Sequence, residues 1–299
     1  MSCGQLPPGV LPARTDVIVA DLDGTLAFHG APPGPAVTAQ LIRLAAGRGA
    51  RLVLATSRSP RGTRRLLGSL TDAFDLICCN GALWRDTSGT GGRVCLPRDA
   101  VVALARGLRG AGLDFCVEYG DWFWASSVRT LPWMGQHRRV VGLSGAVPPP
   151  GPVVKVAVAD AAGRMGPVRS AAGPRARLFP HERTGDVDVT PAGVDKAVAL
   201  RALLGPDGGR FTALGNDVND LGLLRAADQA VVVGGRLPGL LGAAGRGRAV
   251  LRVPAVDGAV AAVLATAGGG DDDAPPTALG PALRPVAGRR LPPGAPART

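Results

Sequence analysis

Hydrophobic positions in the first part of the chain follow two alternating patterns. Short runs rich in Val, Ile and Leu at 16–20, 51–55 and 76–79 predict buried strands. Apolar residues at helical spacing predict helices between them, at 35–48 and 60–70. Strands that alternate with helices in this way are typical of an α/β fold, in which a parallel sheet carries helices on both faces.

The pattern changes between residues 82 and 185, which contain all four tryptophans and the single tyrosine of the chain. Strands are predicted in this region at 114–118, 122–126 and 153–159, with several Pro and Gly residues between them. These features predict an inserted α+β domain with a mainly antiparallel sheet.

The α/β pattern returns in the last third of the chain. A helix is predicted to start near residue 194, and strands at 210–214, 229–233 and 249–253. The end of the chain is rich in Gly, Pro and Ala and has no periodicity, which predicts a disordered tail. The predicted segments are a first core segment at 14–81, an inserted cap domain at 82–186, a second core segment at 187–267 and the tail at 268–299.

Composition limits the classes of protein to which the chain can belong. Hydrophobic residues make up 46% of it, and no run approaches the ~18 uncharged apolar residues of a membrane span. The first residues show no signal-peptide pattern. The five cysteines have no CxxC spacing, which favours reduced thiols over disulfides or a zinc site. We therefore expect a cytoplasmic protein without a membrane partner.

The formal net charge of +11 raises the question of a nucleic-acid partner. Lys155 and Lys196 are the only lysines, so 32 of the 34 basic residues are arginine, spread over the whole chain. The densest basic stretch, 58–65, has no aromatic residues that could stack on bases. We do not expect nucleic acid to be the main partner, but a positive surface would attract an anionic substrate.

Polar side chains follow the predicted core strands at the points where the strands end. They are Asp21 and Asp23 after the first strand, Thr56 after the second, Asn80 after the third, Lys196 early in a helix, and the run 215–220 after a later strand. Ligands of an open parallel sheet bind beyond the carboxyl ends of its strands. Carboxylates, a hydroxyl, a lysine and an Asn/Asp cluster at one edge suit a magnesium ion and a transferring phosphoryl group.

The sequence around these residues resembles the motifs of the haloacid dehalogenase superfamily, in particular of its class IIB or Cof-like members. The similar segments, in the family's order, are DLDGTL at 21–26, LATSR at 54–58, CNGA within 78–82, TPAGVDKAVAL at 190–200 and LGNDVND at 214–220. The resemblance spans about 17–263 and implies a Rossmann-like, doubly wound core with an inserted C2-type cap. It also implies a phosphatase of small phosphorylated metabolites, with sugar phosphates as the expected substrates.

Physical chemistry gives the candidate catalytic residues distinct roles within this resemblance. Asp21 is expected to attack phosphorus and form an acyl-phosphate, and Asp23 to protonate the leaving oxygen and later activate water. Thr56 is expected to donate its hydroxyl to the phosphoryl group, and Lys196 to neutralise negative charge. Further residues expected to contact substrate are Gly24, Thr25, Ser57, Arg58, Asn80, Gly81 and Asn219.

The expected cofactor is Mg²⁺, which prefers oxygen ligands in octahedral geometry. Its predicted ligands are Asp21, the Asp23 carbonyl, Asn216, Asp217 and Asp220. Asn216 departs from the family's usual GDxxND pattern, because it stands at the first acidic position and brings no charge. This departure leaves open a catalytically impaired binder of a metabolite or nucleic acid, beside a phosphosugar mutase as the rival enzyme. The sequence does not indicate the oligomeric state.

Overall fold

A computed structural model describes residues 14–128, 134, 139–142, 146–181, 184–205, 208–235, 237 and 249–269. Within these residues the strands are β1 (Val17–Ala20), β2 (Arg51–Ala55), β3 (Asp75–Cys78), β4 (Leu83–Arg85), β5 (Gly91–Arg93), β6 (Phe115–Glu118), β7 (Phe123–Ala125), β8 (Arg139–Val141), β9 (Lys155–Val158), β10 (Ala176–His181), β11 (Asp186–Pro191), β12 (Phe211–Gly215), β13 (Gln229–Val233) and β14 (Ala249–Val253). The α-helices are α1 (Pro35–Ala45), α2 (Pro60–Leu67), α3 (Arg98–Gly110), α4 (Met165–Ala172), α5 (Lys196–Leu204), α6 (Leu221–Ala226) and α7 (Asp257–Ala267).

The first sheet of the described chain has the order β14-β13-β12-β1-β2-β3-β4-β5. Its first six strands are parallel, and β4 and β5 extend one edge as an antiparallel hairpin. The strand order places β1 in the middle of the sheet, between β2 and β12. The carboxyl ends of β1 and β12 therefore lie side by side. This brings the segment DLDGTL at 21–26, the first motif, next to LGNDVND at 214–220, which is called the fourth motif below.

Helices cover both faces of this sheet, as β1 illustrates. Ile18 packs into a cluster with residues of α1 and α7, whereas Val17 and Val19 pack into a second cluster with residues of α5 and α6. Successive side chains of a strand point to opposite faces of the sheet. Because both faces are covered by helices, every side chain of β1 is buried, and the strand has the continuous apolar sequence VIVA. The prediction of a doubly wound α/β core is confirmed.

The second sheet has the order β10-β11-β9-β6-β7-β8. Its described pairs are antiparallel except β7 with β8, and α3 and α4 pack against it in a separate hydrophobic cluster. This sheet with its two helices is the α+β cap domain expected from the sequence.

The two sheets shift both predicted cap boundaries. Residues 83–93 pair with the core sheet, although the sequence pattern changes at 82, because the β4–β5 hairpin continues the edge beyond β3. At the other end, β11 pairs with β9 and β10, so the cap sheet continues through Pro191 instead of ending at residue 186. Local periodicity identifies strands, but pairing with distant strands decides to which sheet a strand belongs.

The predicted tail lies outside the described residues from 270 onward. In the part of the chain that is described, none of the helices has the length and apolar character to cross a bilayer.

A buried ion pair and two hydrogen bonds to backbone carbonyls link Arg61 and Lys155 to groups across the junction of cap and core. Arg61 of α2 donates to Glu118 of the cap at 2.9 Å and to the carbonyl of Met134 at 2.8 Å, and its guanidinium lies 4.5 Å from the ring centre of Phe123. The Arg61 and Glu118 side chains are 9% and 1% exposed. Lys155 of the cap donates to the carbonyl of Ser57 in the core at 2.9 Å. These contacts hold the cap over the loop that follows β2.

Glu118→Ala is expected to lower the free energy of unfolding by about 3 kcal/mol, because it leaves the Arg61 charge buried without its counter-charge. The matched control is Asp99→Ala, which removes the Arg175–Asp99 pair, whose side chains are 52% and 69% exposed. That loss should stay below about 1 kcal/mol. Urea unfolding of both variants measures the difference, and equal losses would contradict the assignment of Arg61 and Glu118 to a buried junction.

Candidate active site

Asp21 lies at the carboxyl end of β1, in a turn that the sequence DLDGTL closes tightly. The N–H of Asp21 donates to the carbonyl of Leu214 on β12, and the N–H of Gly24 donates to the carbonyl of Ala27 at 2.7 Å. Gly24 has φ +86°, and a Cβ at this position would lie 2.2 Å from the side-chain amide of Asn216. Glycine is therefore required here both by the backbone angle and by the close approach of the fourth motif.

Lys196 places one positive charge between two buried carboxylates. Its Nζ donates to Asp21 Oδ1 at 2.7 Å and to Asp220 Oδ1 at 2.6 Å, and its side chain is 1% exposed. Lys196 is the first residue of α5, and Asp195 caps this helix by accepting from the N–H of Val198. The cap fixes the start of α5, and with it the position of the ammonium group.

Burial and the charge of Lys196 act in opposite directions on the pKa of Asp21. Burial, followed by the negative charge of Asp220, raises the pKa of Asp21 to about 7, against the lowering effect of Lys196. For Lys196, burial lowers the pKa, but the charges of Asp21 and Asp220 outweigh burial and raise it. Lys196 is therefore a permanent cation in the site, and a further positive charge near Asp21 would favour its nucleophilic, ionised form.

The fourth motif is folded around Asp220. The Oδ2 atom of Asp220 accepts from the backbone N–H groups of Asn216 at 2.9 Å and Asp217 at 3.1 Å, while Oδ1 binds Lys196. Asp217 turns its own carboxylate to the N–H of Val218 and caps the short helical turn that follows. The structure thus gives both predicted acidic ligands other partners: Asp220 positions the loop and Lys196, and Asp217 caps the turn.

Three oxygen-bearing groups converge beside Asp21 and provide a test for magnesium. One end of the Asn216 side-chain amide lies 3.3 Å from Asp21 Oδ2 and 3.2 Å from both the Asp23 carbonyl oxygen and Thr25 Oγ1. With its nitrogen at this end, the amide donates to these three acceptors. With its oxygen there, Asn216 places that oxygen 3.3 Å from Asp21 Oδ2 and 3.2 Å from the Asp23 carbonyl oxygen, close to the ~3 Å that separates neighbouring ligands of octahedral Mg²⁺.

These residues fit a magnesium ion, with one carboxylate, one backbone carbonyl and one amide in place of the acidic cluster expected from the sequence. The described residues contain no group of three or more His, Cys, Asp and Glu side chains that could hold a metal ion. The metal assignment of Asp21, Asp23 and Asn216 stays a prediction.

The second motif brings Ser57 and Arg58 to the cavity but keeps Thr56 beneath it. Thr56 is fully buried, and its Oγ1 accepts from the backbone N–H of Arg58 at 3.1 Å. Arg58 binds the carboxylate of Asp23 through two hydrogen bonds of 2.7 Å. Thr56 therefore shapes the loop, and its contact with a phosphoryl oxygen stays a prediction.

The turn after β3 buries Asn80, whose expected contact with substrate stays a prediction. Cys79 and Asn80 have φ of 53° and 56°, a left-handed conformation that is uncommon outside glycine. Asn80 is fully buried, donates to Asp188 Oδ2 at 3.0 Å and accepts from Asn219 at 3.1 Å. It links the cap to the fourth motif and does not line the cavity. Gly81 is required because a Cβ would lie 2.3 Å from the carbonyl oxygen of Asp195.

A cavity of about 1130 Å³ opens between the cap and the carboxyl edge of the core sheet. The predicted site residues in its wall are Asp21, Asp23, Gly24, Ser57, Arg58, Asn216, Asp217 and Asn219. The cap contributes further polar residues, among them Lys155, Asp160, His181, Asp186 and Asp188. Sequence reasoning had found none of these cap residues, because they belong to no readable motif.

The cap side of the cavity is organised by Asp188, which is buried on β11. It accepts from Lys155 at 3.1 Å, from Asn80 at 3.0 Å and from His181 Nε2 at 3.0 Å. Lys155 carried a signal in the sequence, since it is one of two lysines in a chain that otherwise uses arginine.

Comparison with known proteins agrees with the motifs. Residues 18–131 match the family model of haloacid dehalogenase-like hydrolases. A haloacid dehalogenase-like hydrolase of Bacteroides thetaiotaomicron has a similar structure, with TM-score 0.69, 23% identity, and 85% of this chain and 98% of that chain covered. No curated protein sequence matches the chain.

Two further solved structures share the fold. One is a sugar phosphatase of haloacid dehalogenase subclass IIB, with TM-score 0.64, 19% identity, and coverage of 83% of this chain and 96% of that one. The other is a haloacid dehalogenase-like hydrolase of B. subtilis, with TM-score 0.65, 16% identity, and coverage of 83% and 98%. At these identities the similarity shows the fold, including the inserted cap.

The parallel core and the inserted cap are the fold that this chain shares with the haloacid dehalogenase-like structures. Over residues 18–131 the chain matches the family model of haloacid dehalogenase-like hydrolases, and the order of the motifs agrees with that match. The predicted family resemblance and the prediction of an enzyme are confirmed at this level.

Asn216→Asp is expected to bind Mg²⁺ about tenfold more tightly than the wild-type protein, because it adds a charged oxygen to a set with one carboxylate. Calorimetric titration with Mg²⁺ measures the affinity. Asp217→Asn is the control, since its carboxylate caps the adjacent turn, and its Mg²⁺ affinity should change by less than about threefold. Equal affinity of Asn216→Asp and wild type would contradict the proposed ligand set.

His181 is expected to stabilise the protein more at low pH. Burial lowers the pKa of His181, but the charge of Asp188 and the hydrogen bond to it outweigh burial and raise it. The stabilisation is therefore complete below the unfolded pKa of about 6.5 and is lost as the pH rises through the higher folded pKa. Urea unfolding of wild type and His181→Gln should give a larger difference at about pH 5.5 than at pH 9.

Asp188→Asn supplies the control for this pH dependence. In the Asp188→Asn background, His181 lacks its counter-charge, so the additional change His181→Gln should no longer cost more stability at low pH than at high pH. A difference of the same size and sign in both backgrounds would show that Asp188 is not the group that raises the pKa of His181.

Proposed function

We propose that the protein is a magnesium-dependent phosphatase that hydrolyses small phosphorylated metabolites through an aspartyl-phosphate on Asp21. The observation that carries this proposal is the hydrogen bond from the buried ammonium group of Lys196 to the Asp21 carboxylate. Asp21 also lines the cavity between the cap and the core. A nucleophile next to a fixed cation suits attack on an anionic phosphate, because the cation offsets the repulsion between the two negative groups.

The reaction proceeds in two displacements. In the first, a carboxylate oxygen of Asp21 attacks phosphorus, the bond between phosphorus and the leaving oxygen breaks, and Asp23 gives its proton to that oxygen. In the second, Asp23 takes a proton from water, the water oxygen attacks phosphorus, and inorganic phosphate leaves Asp21. Lys196 neutralises the charge that builds up next to Asp21 during both steps.

Asp21 Oδ2, the Asp23 carbonyl and the Asn216 amide oxygen would hold the magnesium ion. When bound, Mg²⁺ would neutralise the phosphoryl oxygens and favour the ionised form of Asp21. The protein itself supplies the nucleophile, the proton carrier and the fixed ammonium group.

Size and lining of the cavity favour small metabolites over macromolecules. The cap contributes part of the wall of the 1130 Å³ cavity and joins the core through the buried ion pair of Arg61 and Glu118, so a substrate in the cavity would lie between the two domains. Carboxylates and an imidazole from the cap suit the hydroxyl groups of a sugar. The similarity to a subclass IIB sugar phosphatase supports sugar phosphates as the first substrates to test.

Asp21→Asn is expected to reduce phosphate release at least 10³-fold while the fold survives, because the amide cannot form the acyl-phosphate. Release of inorganic phosphate from a panel of sugar phosphates and an aryl phosphate, with and without Mg²⁺, measures this. Circular dichroism provides the folding control.

The assay also separates the rival functions. A phosphosugar mutase would retain the phosphate in an isomerised product, detectable by phosphorus NMR, and would release little inorganic phosphate. A catalytically impaired binder would bind phosphate esters without turnover, and Asn216→Asp would then create Mg²⁺-dependent activity. Either result would replace the phosphatase proposal.

A further inference from the structure

Arg58 forms a two-point ion pair with the carboxylate that is proposed to move the proton. Its Nε and Nη2 donate to Oδ2 and Oδ1 of Asp23, each at 2.7 Å. Both side chains lie in the cavity wall and are 13% and 24% exposed. The guanidinium group therefore occupies both carboxylate oxygens of Asp23.

This pairing is incompatible with the first displacement. A carboxylate that accepts two hydrogen bonds from a guanidinium group carries no proton to give, and its plane is fixed by the guanidinium group. The proposed reaction requires Asp23 to face the leaving oxygen and to donate a proton to it. The pair between Arg58 and Asp23 must therefore open before the chemical step.

A phosphate group competes directly for Arg58. Guanidinium binds phosphate and carboxylate with the same two-point geometry, and phosphate carries the greater charge. Arg58 shares the cavity with the nucleophile Asp21. The backbone N–H of Arg58 is held by Thr56 Oγ1 at 3.1 Å, so the side chain can change partner while the loop stays in place.

We propose that Arg58 is a positioning residue that binds Asp23 in the free enzyme and turns to the phosphoryl group of the substrate, which releases Asp23 for proton transfer. This inference rests on the proposed phosphatase function. The exchange makes the proton carrier available when a phosphate group has entered the cavity. Competition from Asp23 also weakens phosphate binding, because the apparent Kd is the intrinsic Kd divided by the fraction of molecules in which Arg58 is not bound to Asp23.

The test is a double-mutant cycle on phosphate affinity. Inorganic phosphate is titrated calorimetrically into the full-length protein with Mg²⁺, for wild type, Asp23→Asn, Arg58→Gln and the double variant. Asp23→Asn frees Arg58, so phosphate should bind about tenfold more tightly. Arg58→Gln should bind about tenfold more weakly. In the Arg58→Gln background, Asp23→Asn should give no gain, because no guanidinium group remains to be freed.

Arg65 provides the matched control, since it lines the same cavity on α2 and carries the same charge. In the Arg65→Gln background, Asp23→Asn should still tighten phosphate binding about tenfold. Arg58→Lys keeps the charge but loses the two-point geometry, so its affinity should fall between those of wild type and Arg58→Gln.

Two results overturn the exchange. An equal gain from Asp23→Asn with and without Arg58 would show that the gain comes from removing a negative charge near phosphate. If Asp23→Asn in the wild-type background does not increase the affinity for phosphate, Asp23 does not compete with phosphate for Arg58. If phosphate esters are still hydrolysed, either result refutes the exchange alone, whereas phosphate binding without hydrolysis refutes the proposed function.

Discussion

The site depends on one buried ammonium group. Lys196 joins three separate elements, because it binds Asp21 at the end of β1 and Asp220 in the loop after β12 while standing at the start of α5. Desolvation of each ion costs several kcal/mol, and the attraction among them offsets that cost only if the geometry is good. Since Asp220 also fixes two backbone N–H groups, the position of the ammonium group determines the shape of the fourth motif.

The second lysine, Lys155, also joins groups from different segments, at the junction between cap and core. Lys155 is 1% exposed and binds Asp188 of the cap and the Ser57 carbonyl of the core. An ammonium group is compact and donates in three directions, whereas guanidinium is a planar fork that needs more room. A chain that uses arginine almost everywhere has thus kept lysine at two buried points where groups from different segments meet.

The sequence could predict the core and its motifs because these signals are local. Strand 51–55 was predicted with its observed bounds, and the residues after β1, β2 and β12 meet at one edge as parallel pairing requires. The cap boundaries depend on pairing between distant strands, as β11 shows. The partners of Asn80 and Asp220 depend on side-chain direction in three dimensions, which the spacing of residues along the chain does not contain.

Asn216 is best understood through the charge balance of the site. Asp21, Asp23 and Asp220 bring three negative charges, and Lys196 and Arg58 bring two positive ones. An aspartate at position 216 would add a fourth negative charge within 3.3 Å of Asp21 Oδ2, and a buried excess of this kind needs a cation for the fold to remain stable. With its nitrogen toward these neighbours the amide of Asn216 donates hydrogen bonds to them, and in the other orientation it would present an oxygen to the proposed metal ion. An asparagine at this position therefore needs no bound cation to balance its charge, and we expect it to attract a metal ion less strongly than an aspartate would.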